Sequence, residues 1–280
     1  MHERLKKKIE LAENNIIEWY EYWEGKVYVA FSGGRDSTVM LHLVRNLYSD
    51  VPAVFFNTGL EYPEIVKFVK KFDNVESIRP EIPFHKIVKE YGFPIISKDV
   101  SWKIEEIRKT KSMYLRNRRV LEKNKFGIPK KWLPLLAAPF KVSAKCCQIM
   151  KKDLGERYVQ KTGRLPMIGV MAFESRARKF SQQRFGCNAF TKKHPESRPI
   201  MSWELCDVKD YIKEFNIEIS EMYTKYGADR TGCMFCGYGI HMDSSPNRFE
   251  KMRKTHPKHY DYIINRLGMG NVLDFIGVSY

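Results

Sequence analysis

Apolar residues recur at helical spacing from the start of the chain. Leu5, Ile9, Ile16, Tyr20 and Trp23 fall near one face of a helix over 3–24, which Gly25 ends. Lys26 to Phe31 is a short apolar, β-branched run and predicts a buried strand. A glycine turn follows. Val39, Leu43 and Val44 then lay an apolar stripe along a helix over 37–47. Residues 51–56 predict a second strand, 63–72 a helix and 75–79 a third strand. Further on, 165–171 reads as a strand, 207–215 as a short helix and 260–267 as helical. This alternation predicts an α/β fold, a doubly wound parallel sheet with helices on both faces. Residues 98–140 break the pattern with weak strand signals and three prolines, Pro129, Pro134 and Pro139. They predict a helix and a long loop inserted in the domain. The organisation expected is a helix over 1–25, an α/β domain over 26–180 carrying 98–140 as an insertion, and a smaller helical and loop region over 181–280.

Composition narrows the class. Of 280 residues, 43% are hydrophobic and 29% charged, as in soluble globular proteins. No run nears the roughly 18 apolar residues of a membrane span. The charged N-terminus lacks the apolar core of a secretory signal, so a cytoplasmic location is expected. Six cysteines in that compartment point to metal or redox chemistry rather than disulfides.

Charge changes the picture more. Lys plus Arg is 49 against 33 for Asp plus Glu, a net +16. That surplus suits an acidic partner, nucleic acid or a polyphosphate, although a solvated basic surface would look the same. It is concentrated. Residues 103–131 hold eleven basic residues (Lys103, Arg108, Lys109, Lys111, Arg116, Arg118, Arg119, Lys123, Lys125, Lys130, Lys131) against Glu105, Glu106 and Glu122, a surplus of eight.

Two constellations carry candidate chemistry. Ser32-Gly33-Gly34-Arg35-Asp36-Ser37-Thr38 joins a predicted strand to a predicted helix. Glycines let the backbone approach an anion, and the helix offers free N–H groups and the positive end of its dipole. This is a phosphate cradle without the lysine of a Walker A loop. A capped helix start would carry the same residues. The second constellation is Cys146-Cys147 with Cys233-Met234-Phe235-Cys236, 86 residues beyond the first pair. Four thiolates hold either a [4Fe–4S] cluster or a tetrahedral Zn2+. Adjacent cysteines point apart, which suits the larger group. Cys187 and Cys206 have no paired spacing, and the histidines no metal spacing.

Ser32 to Ser37 resembles the SGG-x-D-S loop of the PP-loop ATP pyrophosphatase superfamily. Asn57-Thr58-Gly59-Leu60-Glu61-Tyr62-Pro63-Glu64 resembles the DTG-x-x-(F/Y)PE segment of its phosphoadenosine phosphosulfate (PAPS) reductase-like branch, with Asn57 where Asp is usual. Lys145-Cys146-Cys147 and Cys233-x-x-Cys236, the latter flanked by Gly227, Arg230, Thr231 and Gly232, resemble the cluster motif of iron–sulfur adenylyl sulfate reductases. Similar cysteine sets occur in ATP pyrophosphatases of DNA phosphorothioation. Glu174-Ser175-Arg176-x-Arg178 resembles a phosphate-contacting arginine motif, and Pro199-Ile200-x-x-Trp203-x-x-x-Asp207-Val208 a structural one.

The resemblance implies an adenine nucleotide alpha hydrolase-like fold that binds ATP and Mg2+. Ser32, Gly33, Gly34, Asp36, Ser37, Thr38, Asn57, Thr58 and Gly59 would hold the nucleotide. Arg35, Asp36, Lys145 and Arg176 would serve catalysis, and Cys146, Cys147, Cys233 and Cys236 a [4Fe–4S] cluster, with Zn2+ the alternative. It implies an adenylating enzyme of sulfur transfer that activates nucleic acid for thiolation, DNA ahead of tRNA, with a cysteine desulfurase as sulfur donor and no membrane; a homodimer is compatible. The alternatives are a PAPS or adenylyl sulfate reductase and a non-catalytic nucleotide-binding subunit. Reductases of this branch use a cysteine in a C-terminal E-C-G-x-H segment, and no cysteine follows Cys236 up to Tyr280.

Overall fold

The structure, a computed structural model, describes residues 1–122 and 124–280; Lys123 of the basic stretch lies outside the described residues. The chain forms two units, each from two separated stretches: Met1–Pro80 with Lys151–Gly232, and Glu81–Met150 with Cys233–Tyr280. In chain order, the first stretch holds α1 (Glu3–Tyr22), β1 (Val27–Ala30), α2 (Arg35–Leu47), β2 (Ala53–Phe56), α3 (Pro63–Val69) and β3 (Val75–Ile78). The next holds α4 (Phe84–Tyr91), β4 (Ile95–Ile96), α5 (Lys98–Lys109), α6 (Met113–Leu121), a 3-10 segment at Lys130–Ala137 and the short α7 (Lys145–Cys147). Then come α8 (Asp153–Thr162), β5 (Leu165–Ile168), α9 (Arg176–Phe185), β6 (Asn188–Ala189), β7 (Glu196–Ser197), α10 (Leu205–Glu214) and α11 (Glu221–Thr224). The last stretch holds β8 (Gly237–Tyr238), α12 (Arg248–Thr255), α13 (Pro257–Asp261) and α14 (Met269–Phe275).

The first unit is built on a six-stranded sheet in the order β3-β2-β1-β5-β7-β6. Its pairs are parallel except the β6–β7 edge. Strand alternation sends Val27, Val29 and Phe31 of β1 and its exit to one face, where α1, α2, α3 and α10 cover them. Tyr28 goes to the other face, with Val54 and with Tyr158 of α8. The doubly wound α/β class is therefore realised, with helices on both faces. On α1 the buried stripe is Leu5, Ile9, Ala12, Ile16 and Trp19. Tyr20 and Trp23, expected on that face, are only partly buried, and Tyr20 stacks on Tyr48 with ring centroids 3.6 Å apart. Gly25 ends the helix as expected. Its φ of 72° lies in the left-handed region, and its N–H reaches Tyr20 O at 2.9 Å.

Residues 98–140 are more regular than a helix and a loop. They form α5, α6 and the 3-10 segment, and they fold in the second unit with both cysteine pairs. Ser97 and Ser112 cap α5 and α6, accepting from Val100 N and Leu115 N at 3.1 and 3.3 Å. The proline-rich stretch takes its hydrogen bonds from a cation. Arg108 donates to the carbonyls of Leu135, Leu136, Ala138 and Phe140. Lys103, only 3% exposed, donates to Asp99, Lys125 O and Gly127 O. Arg119, also buried, donates to Glu106 and Phe126 O. Three cations of the basic stretch are thus internal ties, not docking charges. Among the described residues, no helix is long and apolar enough to cross a membrane.

Candidate functional site

In the first unit the chain leaves β1 for β2 and β3 on one side and returns to β5 on the other. Open α/β sheets bind ligands at such a switch point, beyond the carboxyl ends of the strands. A cavity of about 370 Å3 lies there. It is walled by Ala30, Phe31, Ser32, Asp36 and Ser37, by Phe56, Glu61 and Tyr62, and by Ile168, Gly169, Glu174 and Arg178.

The glycine loop is shaped by close approach. Gly33 sits at φ 70°, and a Cβ there would fall 2.6 Å from Val69 Cγ2. A Cβ on Gly169, at the exit of β5, would lie 2.8 Å from Asp36 O. Glycine at these positions is what lets α3, β5 and the first turn of α2 meet around the cavity. Gly34 caps α2 without a side chain. The hydroxyls of Ser37 and Thr38 turn back to Gly34 O at 2.8 and 2.9 Å.

Asp36 is the charged group of the loop that faces this cavity. Burial raises its pKa, while the guanidinium groups of Arg35, Arg178 and Arg230 oppose the rise. Its buried Oδ1 has no hydrogen-bond partner, and the Arg35 Nε is 3.8 Å away. An unsatisfied carboxylate oxygen among three guanidinium groups fits an anion accompanied by a divalent cation such as Mg2+. The raised pKa means that the folded chain holds this proton more tightly than the unfolded one. The ionised carboxylate therefore lowers stability above its folded pKa, and the effect fades as pH falls through that value. Asp36→Asn is expected to raise the thermal midpoint by a few degrees at neutral pH, with a smaller gain in acid. A lowered midpoint in differential scanning calorimetry would contradict this.

Other residues marked in the sequence fall in varied places. Asn57 is buried, and its Oδ1 accepts from Gly59 N at 3.1 Å. Thr58 donates to Glu61 at 2.7 Å. Asn57, Thr58 and Gly59 shape the turn after β2; Phe56, Glu61 and Tyr62 form the wall itself. Arg176 is exposed at the start of α9, whereas Arg178 lines the cavity and pairs with Glu174. The difference is helical phase: two residues along α9 turn a side chain through more than half a circle. Lys145 belongs to the second unit, and Lys151 lines the cavity. No sequence signal marked Lys151. Arg178 and Thr231 lie within the Glu174–Arg178 and Gly227–Cys233 segments.

The cysteines assemble in the second unit around one extended segment. Phe93 pairs with Val142, just before Cys146-Cys147, through Phe93 N to Lys141 O at 2.9 Å. The same segment continues as β4 and pairs in parallel with β8, which starts right after Cys236. Residues 93–96 thus draw both pairs together. Gly237 is required there, because a Cβ would sit 2.9 Å from Pro94 O. Cys236 N closes the C-x-x-C turn on Cys233 O at 3.0 Å. Ser143 donates to Glu105 at 2.6 Å and accepts from Lys145 N at 3.0 Å, fixing the start of α7. Convergence shows at Tyr238, whose hydroxyl pKa is raised first by burial and then by Cys147, Cys236 and Cys146. Among the described residues, no three of the four sulfurs lie within 4.8 Å of one another. A tetrahedral zinc would hold its thiolates roughly 3.8 Å apart. The two pairs form one cysteine-rich site, with the thiol donors that either a multi-iron cluster or a single zinc would use. The trio that does lie within 4.8 Å is Glu204, Cys206 and Asp207. Its carboxylates are engaged by Arg4 and Lys8.

A glycine-loop cavity at the switch point of a mostly parallel sheet is the architecture of PP-loop proteins with the adenine nucleotide alpha hydrolase-like fold. Residues 26–238 match the phosphoadenosine phosphosulfate reductase domain, and the chain belongs to that family. It is 30% identical over 236 residues to the uncharacterized protein MJ0066 of Methanocaldococcus jannaschii, a match spanning 81% of this chain and 40% of that protein. A second protein of that organism is matched over 51% of its length, so the chain spans about half or less of these relatives. Two solved structures are similar at 14% identity. Phosphoadenylyl-sulfate reductase from Candida auris, in complex with phosphate, has a TM-score of 0.48, covering 82% of this chain and 91% of that one. The U34-tRNA thiolase NcsA from Methanococcus maripaludis, with its [4Fe–4S] cluster, has a TM-score of 0.43, covering 96% and 80%.

Proposed function

We propose that this chain is an adenylating enzyme of sulfur transfer, using ATP at the switch-point cavity to activate an oxygen of nucleic acid for replacement by sulfur. The observation that carries the reading is the cavity itself, walled by Ser32, Asp36 and Ser37 and faced by the guanidinium field around Asp36. Phosphates would lie against the loop, with the N-terminal dipole of α2 directed at them. The acceptor oxygen attacks the α-phosphorus, the bond to the β-phosphate breaks, and pyrophosphate leaves. Arg35 and Arg178 stabilise the charge that develops on it. A sulfur nucleophile then displaces AMP. Mg2+, which Asp36 suits, would supply further neutralisation of the polyphosphate. A [4Fe–4S] cluster on Cys146, Cys147, Cys233 and Cys236 would supply a site for sulfide or a structural tie. DNA is favoured over tRNA as acceptor, and a cysteine desulfurase as sulfur source. The polyanion would lie on the exposed part of the basic stretch, where Lys111, Arg116, Lys125, Lys130 and Lys131 are all on the surface.

The family match favours a second reading, reduction of an adenylyl sulfate compound. That reaction needs a thiol to attack sulfur, and residues 237–280 contain none.

The test is pyrophosphate release from Mg-ATP by anaerobically purified protein, with and without DNA or tRNA. Release stimulated by nucleic acid is expected. Sulfite release from adenylyl sulfate compounds without pyrophosphate would sink the adenylating reading. Charge reversal at Lys111, Arg116 and Lys130 is expected to abolish the stimulation and to flatten the salt dependence of binding by roughly 2–3 log units per log unit of salt. Arg119 is left out because its buried guanidinium holds Glu106 and Phe126 O.

A further inference from the structure

Three backbone N–H groups of the glycine loop donate to side-chain hydroxyls. Ser32 N donates to Ser37 Oγ at 3.2 Å, Gly34 N to Ser32 Oγ at 3.4 Å and Arg35 N to the Tyr223 hydroxyl at 3.0 Å. A phosphate loop offers such groups to phosphate oxygens. Each hydroxyl therefore stands where an oxygen of the anion would bind. The two serines are local and can turn away by one χ1 rotation.

Tyr223 is different. It comes from α11, 188 residues along the chain from Arg35, and it is held from several sides. Its oxygen lies 2.7 Å from Thr231 Oγ1. The Arg35 guanidinium lies over its ring, 5.0 Å from the centroid, and also donates to Asp229 O at 3.4 Å. A Cβ on Gly34 would meet Thr231 Oγ1 at 3.1 Å and the Tyr223 hydroxyl at 3.3 Å. Thr231 and Gly232 themselves line the cavity. Residues 223–232 therefore form a strap over the loop, tied down at Arg35, inside the first unit. Burial raises the Tyr223 pKa, so its oxygen is a neutral hydroxyl at physiological pH. Such an oxygen is a weaker acceptor than a charged phosphate oxygen.

We infer that Tyr223 sets the nucleotide affinity of this loop. Its hydroxyl is the resident acceptor of the Arg35 N–H, and a phosphate oxygen of a nucleoside polyphosphate takes that position only as Tyr223 and the strap give way. The inference rests on the nucleotide-binding reading of the cavity. After exchange, the tyrosine keeps Thr231 as its partner. The Arg35 side chain, released from the strap, is then available to the phosphates.

Tyr223→Phe tests this, because it keeps the ring beneath Arg35 and removes only the acceptor. Calorimetric titration of the full chain with Mg-ATP is expected to show affinity about three- to tenfold tighter than wild type, the yield of one neutral hydrogen bond no longer broken on binding. In the wild-type protein, amides of 223–232 are expected to exchange with deuterium faster once ATP saturates the site, a measurement that needs no variant. Equal or weaker binding by Tyr223→Phe, or added protection of the strap, overturns the inference while ATP binding by wild type keeps the nucleotide reading. No ATP binding by either protein overturns both.

Discussion

Gly34→Asp is expected to lower nucleotide affinity by about 100-fold or more while leaving the chain folded, because three effects act on one position. Gly34 is the N-cap of α2, with φ −77° and ψ 157°, a conformation open to any residue. Aspartate is a favoured N-cap whose carboxylate accepts from the second or third N–H of the helix. It would therefore occupy donors that a phosphate needs. It would also bring negative charge to the place meant for an anion, where charged hydrogen bonds are worth about 1.5–3 kcal/mol each. The new Cβ would press on the hydroxyls of Thr231, Ser32 and Tyr223. These can shift, so the fold should persist. Thermal unfolding without nucleotide should be unchanged or slightly later, and titration with Mg-ATP should show little or no heat. Unchanged affinity would place the nucleotide elsewhere. Gly33→Ala is the contrasting case. There the left-handed φ and the methyl groups of Val69 and Ile65 oppose any side chain, so stability itself should fall.

Cys233→Ser carries the second large effect. The C-x-x-C turn is anchored by its middle residues, since Met234 and Phe235 are 3% and 4% exposed. Phe235 packs against Phe84 and Tyr262. Serine should therefore leave the turn in place and remove one thiolate. Anaerobically isolated protein is expected to lose its brown colour and most of its iron and acid-labile sulfide, and to unfold earlier, because metal binding contributes to folding. Cys206→Ser is the matched control, since Cys206 is exposed on α10. It should keep full iron. Iron and sulfide retained in Cys233→Ser would falsify the ligand set, and zinc in place of iron would return the site to a single ion.

How much was legible in advance depends on the range of the interactions. The strands of the large sheet up to β5 and helices α1, α2 and α3 were readable because their apolar periodicity is local and strong. The glycine loop was readable because its tight turn and close packing need small residues in sequence. Residues 98–140 were not, because their order comes from Arg108, Lys103 and Arg119 donating to carbonyls and carboxylates many residues away. Charge counts treat those cations as surface. The choice between Arg176 and Arg178 turned on the phase of a helix whose first residue the sequence does not mark.

By itself, then, the sequence determined the α/β class, the glycine loop between β1 and α2, and the two cysteine pairs as one candidate set. Each is written in residue types at short spacing, where backbone geometry leaves few options. The tertiary structure alone decided which residues face the cavity, because Glu61, Lys151, Arg178 and Thr231 reach it from separate elements. It also decided how the cysteine pairs meet, since Phe93–Ile96 pairs with both flanks only after the chain has closed a long loop. Tyr223 against the Arg35 N–H belongs to the same kind: a hydrogen bond across 188 residues leaves no trace in local pattern.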